Sequence, residues 1–181
     1  MKNEKLIYNN HSGGAIGADT YWGSLGEEYG VISHHYWYQS PNPASKPEDE
    51  LTEDEFEEGK EKVYLANKTF KRQPERYMYL LSRNWLQVKN SECIFAIGIL
   101  KTKCEVNGGT GWAVQMAIDC NKPVYVFDQN KNKWFYFNFD KGIFEYSVTP
   151  VLTTDFAGIG TRKINENGIS AIKNVYKKTF R

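Results

Sequence analysis

Residues 11–19 read HSGGAIGAD, and the fold turns on this stretch. It follows a strand read over residues 5–10, whose apolar part is Leu6 to Tyr8. It then runs into a helix in which Ile16, Thr20, Trp22, Leu25 and Tyr29 recur at helical spacing, with a stop at Gly30. Ser12, Gly13, Gly14 and Ala15, followed by Gly17, Ala18 and Asp19, form a turn that lets the backbone come close to a ligand. The pattern recurs. NGGTG at 107–111 stands after a strand at 92–98 and opens a helix, and AGIGTR at 157–162 ends a strand before a helix. Three strands thus lead into glycine turns that feed helices. In an open parallel sheet, ligands bind beyond the carboxyl ends of the strands. Helix N-termini there offer free N–H groups and the positive end of a dipole to a phosphate. None of the three turns is a GxGxxG in the usual Rossmann position, and none is GxxxxGK[ST], so a P-loop NTPase is unsupported.

The rest of the chain fits one α/β domain over residues 1–181. VISHHYWY (31–38) reads as a strand and the Pro- and acid-rich stretch after it as a loop. Thr52 and Glu55 form a capping-box pattern that opens a polar helix over about 53–70. After Pro74 the spacing of Tyr77, Leu80, Leu81, Trp85 and Val88 predicts one further helix. ECIFAIGIL and KPVYVFD are buried strands on either side of a helix at TGWAVQMAIDC. Residues 133–148 predict an aromatic hairpin turning at Asp140-Lys141-Gly142. Both its faces are apolar, so it is expected to pack on the sheet or on a partner subunit. Strands alternating with helices argue for a Rossmann-like parallel sheet flanked by helices.

Bulk composition bounds the function. A net charge of +1 disfavours nucleic acid as a partner. Cys93, Cys104 and Cys120 make no CxxC pair, and their sparse, odd number fits a reducing, cytoplasmic setting. No signal peptide is read at the N-terminus, and no apolar run nears the roughly 18 residues that span a bilayer. His34 and His35 adjoin on a strand and point to opposite faces, so no metal site is predicted; no cofactor is implied either. The acidic run 48–58 reads as a solvated loop and helix start.

SGGAIGAD, GGTGWAVQMA and FAGIGTR each resemble pieces of the SLOG superfamily of Rossmann-like nucleotide-binding proteins. That group includes the Lonely-guy (LOG) phosphoribohydrolases, molybdenum-cofactor carrier-like proteins, the DprA/Smf proteins, and small phage and bacterial proteins. There the GIGSR-like turn normally opens the domain; here FAGIGTR lies near the C-terminus, and joining Arg181 to Met1 would restore the usual order. The resemblance therefore implies a circularly permuted domain.

It also implies a nucleotide or nucleotide-derived ligand, with Arg162 facing a phosphate. Arg83 of the Arg83-Asn84 pair matches an arginine that is catalytic in the LOG enzymes. Gln115 stands where those enzymes carry an essential glutamate, and it cannot transfer a proton. Asp19 is the first acid that could substitute, either touching a ribose hydroxyl or a water, or simply favouring its helix N-terminus. Ser12 and Thr110 can donate to phosphate or cap their helices. The ligand-binding set is Ser12, Gly13, Gly14, Ala15, Asp19, Asn84, Gly108, Gly109, Thr110, Gly111, Gly158, Gly160 and Arg162, with Asp19 and Arg83 as catalytic candidates. Trp22, Trp37 and Trp112 could stack on a base or pack in the core. Two functions stay open: binding with hydrolysis or transfer at the ribose, and a non-catalytic sensor or sponge of a nucleotide signal. A homo-oligomer is compatible with either.

Overall fold

The computed structural model describes residues 6–181. Lys5, the first residue of the expected N-terminal strand, lies outside the described residues. So do Met1, to which the permuted reading joins Arg181, and the first half of the N-terminal segment read for a signal peptide. Among the described residues no helix is long and apolar enough to cross a membrane.

In chain order the elements are β1 (Asn9–Ser12), α1 (Ala18–Glu27), β2 (Ile32–His35), α2 (Glu53–Phe70), α3 (Met78–Ser82), α4 (Asn84–Lys89), β3 (Cys93–Gly98), α5 (Thr110–Asp119), β4 (Val124–Asp128), β5 (Lys133–Asn138), β6 (Ile143–Ser147), β7 (Asp155–Gly160) and α6 (Glu166–Thr179). The seven strands form one sheet in the order β2-β1-β7-β3-β4-β5-β6. Pairings from β2 through β4 are parallel and the last two are antiparallel. This is an α/β, Rossmann-like architecture.

Alternation along the buried strands divides the core into two layers. Ile94, Ala96, Val124, Val126, Ala157 and Ile159 pack with residues of α2 to α5. Phe95, Ile97, Phe127 and Phe156 pack on the other face with residues of α1 and α6. β7, which carries FAGIG, lies beside β1 in parallel, with Asn9 opposite Asp155 and Asn10 opposite Phe156. The polar helix α2 begins as its capping box requires: Glu55 N–H donates to Thr52 Oγ1 (3.3 Å) and Thr52 N–H to Glu55 Oε2 (2.9 Å).

Several expectations are corrected. β1 begins four residues later than read, because Leu6 and Ile7 are exposed (68% and 64%) while the polar Asn10 is buried. Asn10 Oδ1 accepts Gly158 N–H (2.9 Å), and its Nδ2 donates to Ser33 Oγ (3.2 Å). A strand whose polar side chains are satisfied by its neighbours carries no apolar signature. Ile16 stands outside α1 and is exposed. β2 is shorter than its apolar run, and Trp37 beyond it forms a bridge with Glu50. The single helix expected after Pro74 is broken at Arg83, where the Ser82 carbonyl abuts Gly59 of α2. Gly158 and Gly160 lie within β7, not in a loop after it. The hairpin does not lie on the sheet: it extends the sheet at β4. Its two apolar faces join the two layers, Trp134 with α1 and α6, Phe137 and Phe144 with the opposite side.

Both outer strands are occupied beyond their ladders. Phe144 N–H of β6 donates to the Lys103 carbonyl (2.7 Å). On the far side the segment 36–51 returns along the end of β2, with Leu51 N–H on the Trp37 carbonyl (2.8 Å) and Trp37 N–H on that of Asp49 (3.2 Å).

Candidate functional site

β1 and β3 send their helices to opposite faces of the sheet, and β7 lies between them. A crevice opens at the carboxyl ends of such strands. Here it is a cleft of about 580 Å³, a size that suits a small-molecule ligand. Ala15 and Asp19 border it from the first turn, Gly108, Gly109 and Thr110 from the second, and Gly160 to Lys163 from the third. Arg83, Asn84 and Gln87 approach from the α3–α4 joint, and Pro74, Tyr77, Leu80 and Trp112 supply an apolar side.

Asp19, in the first turn of α1, ties two glycine turns together. Its Oδ1 accepts Gly160 N–H (3.0 Å) and its Oδ2 accepts Ala15 N–H (3.3 Å). Burial raises its pKa above the ordinary carboxylate value, against the pull of the Arg83 charge and of those amides. Arg83 is only 6% exposed. Its Nη1 donates to the Gly13 carbonyl (2.7 Å) and more weakly to that of Tyr36 (3.4 Å), while its buried Nε has no partner. Burial pulls its pKa down, Asp19 opposes this, and Arg162 adds to it. Among the described residues no Asp19–Arg83 ion pair closes within 4.0 Å, although the two charges feel one another. Four cationic side chains, Arg72, Arg83, Arg162 and Lys163, line the cleft against one carboxylate, Asp19.

The three helix starts are not equivalent. The first amide of α1 is taken by the Thr161 carbonyl (3.0 Å), and α6 is capped by Asn165, whose Oδ1 accepts Gly168 N–H (3.0 Å). α5 begins on Gly109 with no side-chain cap, so its positive end faces the cleft.

Of the residues singled out by sequence, Ala15, Asp19, Arg83, Asn84, Gly108, Gly109, Thr110, Gly160 and Arg162 come together in the cleft. Ser12, Gly13, Gly14, Gly111 and Gly158 do not. The Ser12 hydroxyl is buried without a partner at the end of β1. Gly13 lets Arg83 pass beneath the turn: a methyl there would stand 3.0 Å from Arg83 Cζ and 2.8 Å from Gln87 Nε2. Gly14 has φ +62°, and its missing side chain points at His35, so its conformational freedom serves the turn. Gly111 packs on the Val106 carbonyl, and Gly158 lies against Trp22, 2.6 Å from where its Cβ would be.

Thr110 starts α5 without capping it, and Trp22 is core. The Trp37 indole donates to the Lys46 carbonyl (2.8 Å), and Trp112 both lines the cleft and meets Phe70 edge-on. Gln115 turns away from the cleft to donate to Asp119 (2.8 Å). Arg72, Gln87 and Lys163 were missed by sequence reasoning. Lys163 directly follows Arg162 and could have been found; Arg72 and Gln87 reach the cleft only through tertiary packing.

A second polar cluster lies at the β1–β2 side of the sheet. His11 Nε2 faces Asp155 Oδ1 (3.1 Å), so that nitrogen carries the proton and Nδ1 accepts Tyr36 O–H (2.9 Å). Asn90 donates to the same phenol (2.8 Å), and burial pushes the Tyr36 pKa up to about 12. His34 stacks on His11 and pairs with Asp49 (3.1 Å), while His35 points the other way, under Gly14 and Gly23. Among the described residues no group of three or more His, Cys, Asp or Glu can hold a metal ion.

Burial lowers the pKa of both His11 and His35 below 6.5. The unfolded chain therefore takes up protons before the folded one does, and stability must fall as pH drops from about 7 through 6.5 toward the folded values. Thermal melts between pH 8 and pH 5 are expected to show this fall, and His11→Gln to flatten it. A melting temperature independent of pH in that window would contradict the assignment.

Comparison with known proteins finds no matching family model, no matching curated protein and no matching solved structure.

Proposed function

We propose that the chain binds a nucleotide or nucleotide-derived small molecule in this cleft, with a phosphate directed at Arg83, Arg162 and the uncapped start of α5. One observation carries the reading: four cationic side chains and an open helix N-terminus converge on a cleft that holds a single carboxylate. The apolar side at Tyr77, Leu80 and Trp112 suits the base or another flat group. Membership of the SLOG superfamily, in a circularly permuted form, and a cytoplasmic location belong to the same proposal. The parallel pairing of β7 with β1 supports the permuted order.

Binding without turnover is the favoured form. Gln115 cannot transfer a proton and bonds to Asp119, and Asp19 has both oxygens engaged by backbone amides. Hydrolysis at the ribose is a second reading, favoured by the raised pKa of Asp19, which suits a general acid. Release of free base from nucleoside monophosphates, lost in Asp19→Ala with the fold intact, would establish the second over the first.

Arg162→Ala tests the site itself. Arg162 is exposed and forms no ion pair among the described residues, so the fold should not change. A charge-assisted contact is worth roughly 1.5–3 kcal/mol, so affinity for a nucleoside monophosphate should fall about 10- to 100-fold. Affinity for the nucleoside should hardly move. Equal loss for both, or no loss, counts against a phosphate at this position.

A further inference from the structure

Among the described residues, Arg72 is the one cation of the cleft that forms an ion pair, and its partner lies outside the cleft. Its Nη2 meets Glu105 Oε1 at 3.0 Å, and Glu105 does not line the cleft. Its backbone is fixed from both sides by one side chain: Arg72 N–H donates to Asn67 Oδ1 (2.9 Å) and Asn67 Nδ2 donates to the Arg72 carbonyl (2.8 Å). The side chain is 35% exposed and rests over the Phe70 ring, 4.9 Å from its centroid. Phe70 in turn meets Trp112 edge-on at 4.7 Å, in the first turn of α5. A cation is thus held near the positive end of a helix, which is the unfavourable end for it. Glu105 offsets that charge. The same Glu105 oxygen also accepts Lys101 Nζ (3.1 Å), so the carboxylate keeps a partner when Arg72 leaves it.

We infer that Arg72 is an exchangeable anion contact: Glu105 holds it in the free protein, and it moves to a second anionic group of the bound ligand. This rests on the cleft being the nucleotide site. Arg83 is buried and Arg72 half-exposed, so the two address different parts of a ligand. Glu105 competes only with an anion that reaches the outer position, and the pair therefore favours a nucleoside diphosphate over a monophosphate. The fixed backbone confines the exchange to side-chain rotation.

Isothermal titration of the full chain with ADP and with AMP tests this. Wild type should bind ADP more tightly. Arg72→Ala should weaken ADP about tenfold and leave AMP within about twofold. Glu105→Gln should tighten ADP by about fivefold, the scale of the hold that a partly exposed ion pair has on Arg72. That gain should vanish in the Arg72→Ala, Glu105→Gln double variant. Arg72→Gln gives the same comparison if Arg72→Ala disturbs the packing on Phe70, with thermal melts to check the fold. Binding of both nucleotides with no effect of Arg72, an equal effect on both, or a Glu105→Gln gain that persists without Arg72 overturns this inference alone. No binding of either nucleotide by wild type overturns it together with the site it rests on.

Discussion

Replacing Arg83 with leucine is expected to weaken the binding of a nucleoside monophosphate by about 100-fold or more and to destabilise the fold by about 3 kcal/mol. Two effects add. Arg83 is the most buried cation of the cleft, so its contact with a phosphate would be little screened by water. It also opposes the charge of the buried Asp19, and leucine would leave that carboxylate without its counter-charge. The Gly13 carbonyl would keep a donor, Asn42 Nδ2 at 2.8 Å, which limits the damage to the turn. Lysine at this position should fall between the two, since one ammonium cannot reproduce the planar fork. Titration calorimetry reads the affinity and urea unfolding the stability. Unchanged affinity in a folded Arg83→Leu variant would remove the phosphate from the floor of the cleft.

Trp22→Ala is expected to cost about 3–5 kcal/mol, a large part of the 5–15 kcal/mol typical of a domain. The indole is fully buried and packs against Phe156 (6.0 Å between centroids), Tyr176 (5.6 Å) and Phe95 (6.5 Å). Its N–H donates to the Ile159 carbonyl (3.2 Å), joining α1 to β7. Trp22→Phe keeps an aromatic ring but not that donor, and should cost less. Urea midpoints for the pair separate lost volume from the lost hydrogen bond. A Trp22→Ala variant as stable as wild type would mean that this layer collapses around the void.

Where a local pattern is strong, the sequence reveals the structure: α2 by its capping box, and β3, β4, α5 and the hairpin by their apolar runs, all stand where the pattern puts them. The glycine turns were legible as a class, and they do converge. Which of their residues face the cleft was not, because that depends on pairs remote in sequence. Gly13 and Gly14 look alike as letters, yet one clears Arg83 and the other faces His35. Asp19 could be read as a helix-start acid but not as the acceptor of Gly160 N–H, 141 residues away. The β1 strand misled because Asn10 behaves as a core residue once Gly158 and Ser33 satisfy it. The break at Arg83 leaves no mark in the helical period, which runs on from Leu80 and Leu81 to Trp85 and Val88.

The two occupied outer strands bear on self-association. An open sheet exposes rows of donors and acceptors that can template a neighbouring copy. Here the Lys103 carbonyl takes the Phe144 amide on one side, and on the other β2 has only four residues before the returning segment 36–51 begins. Both edge strands are short and partly taken, which leaves fewer free donors and acceptors for a neighbouring copy to pair with.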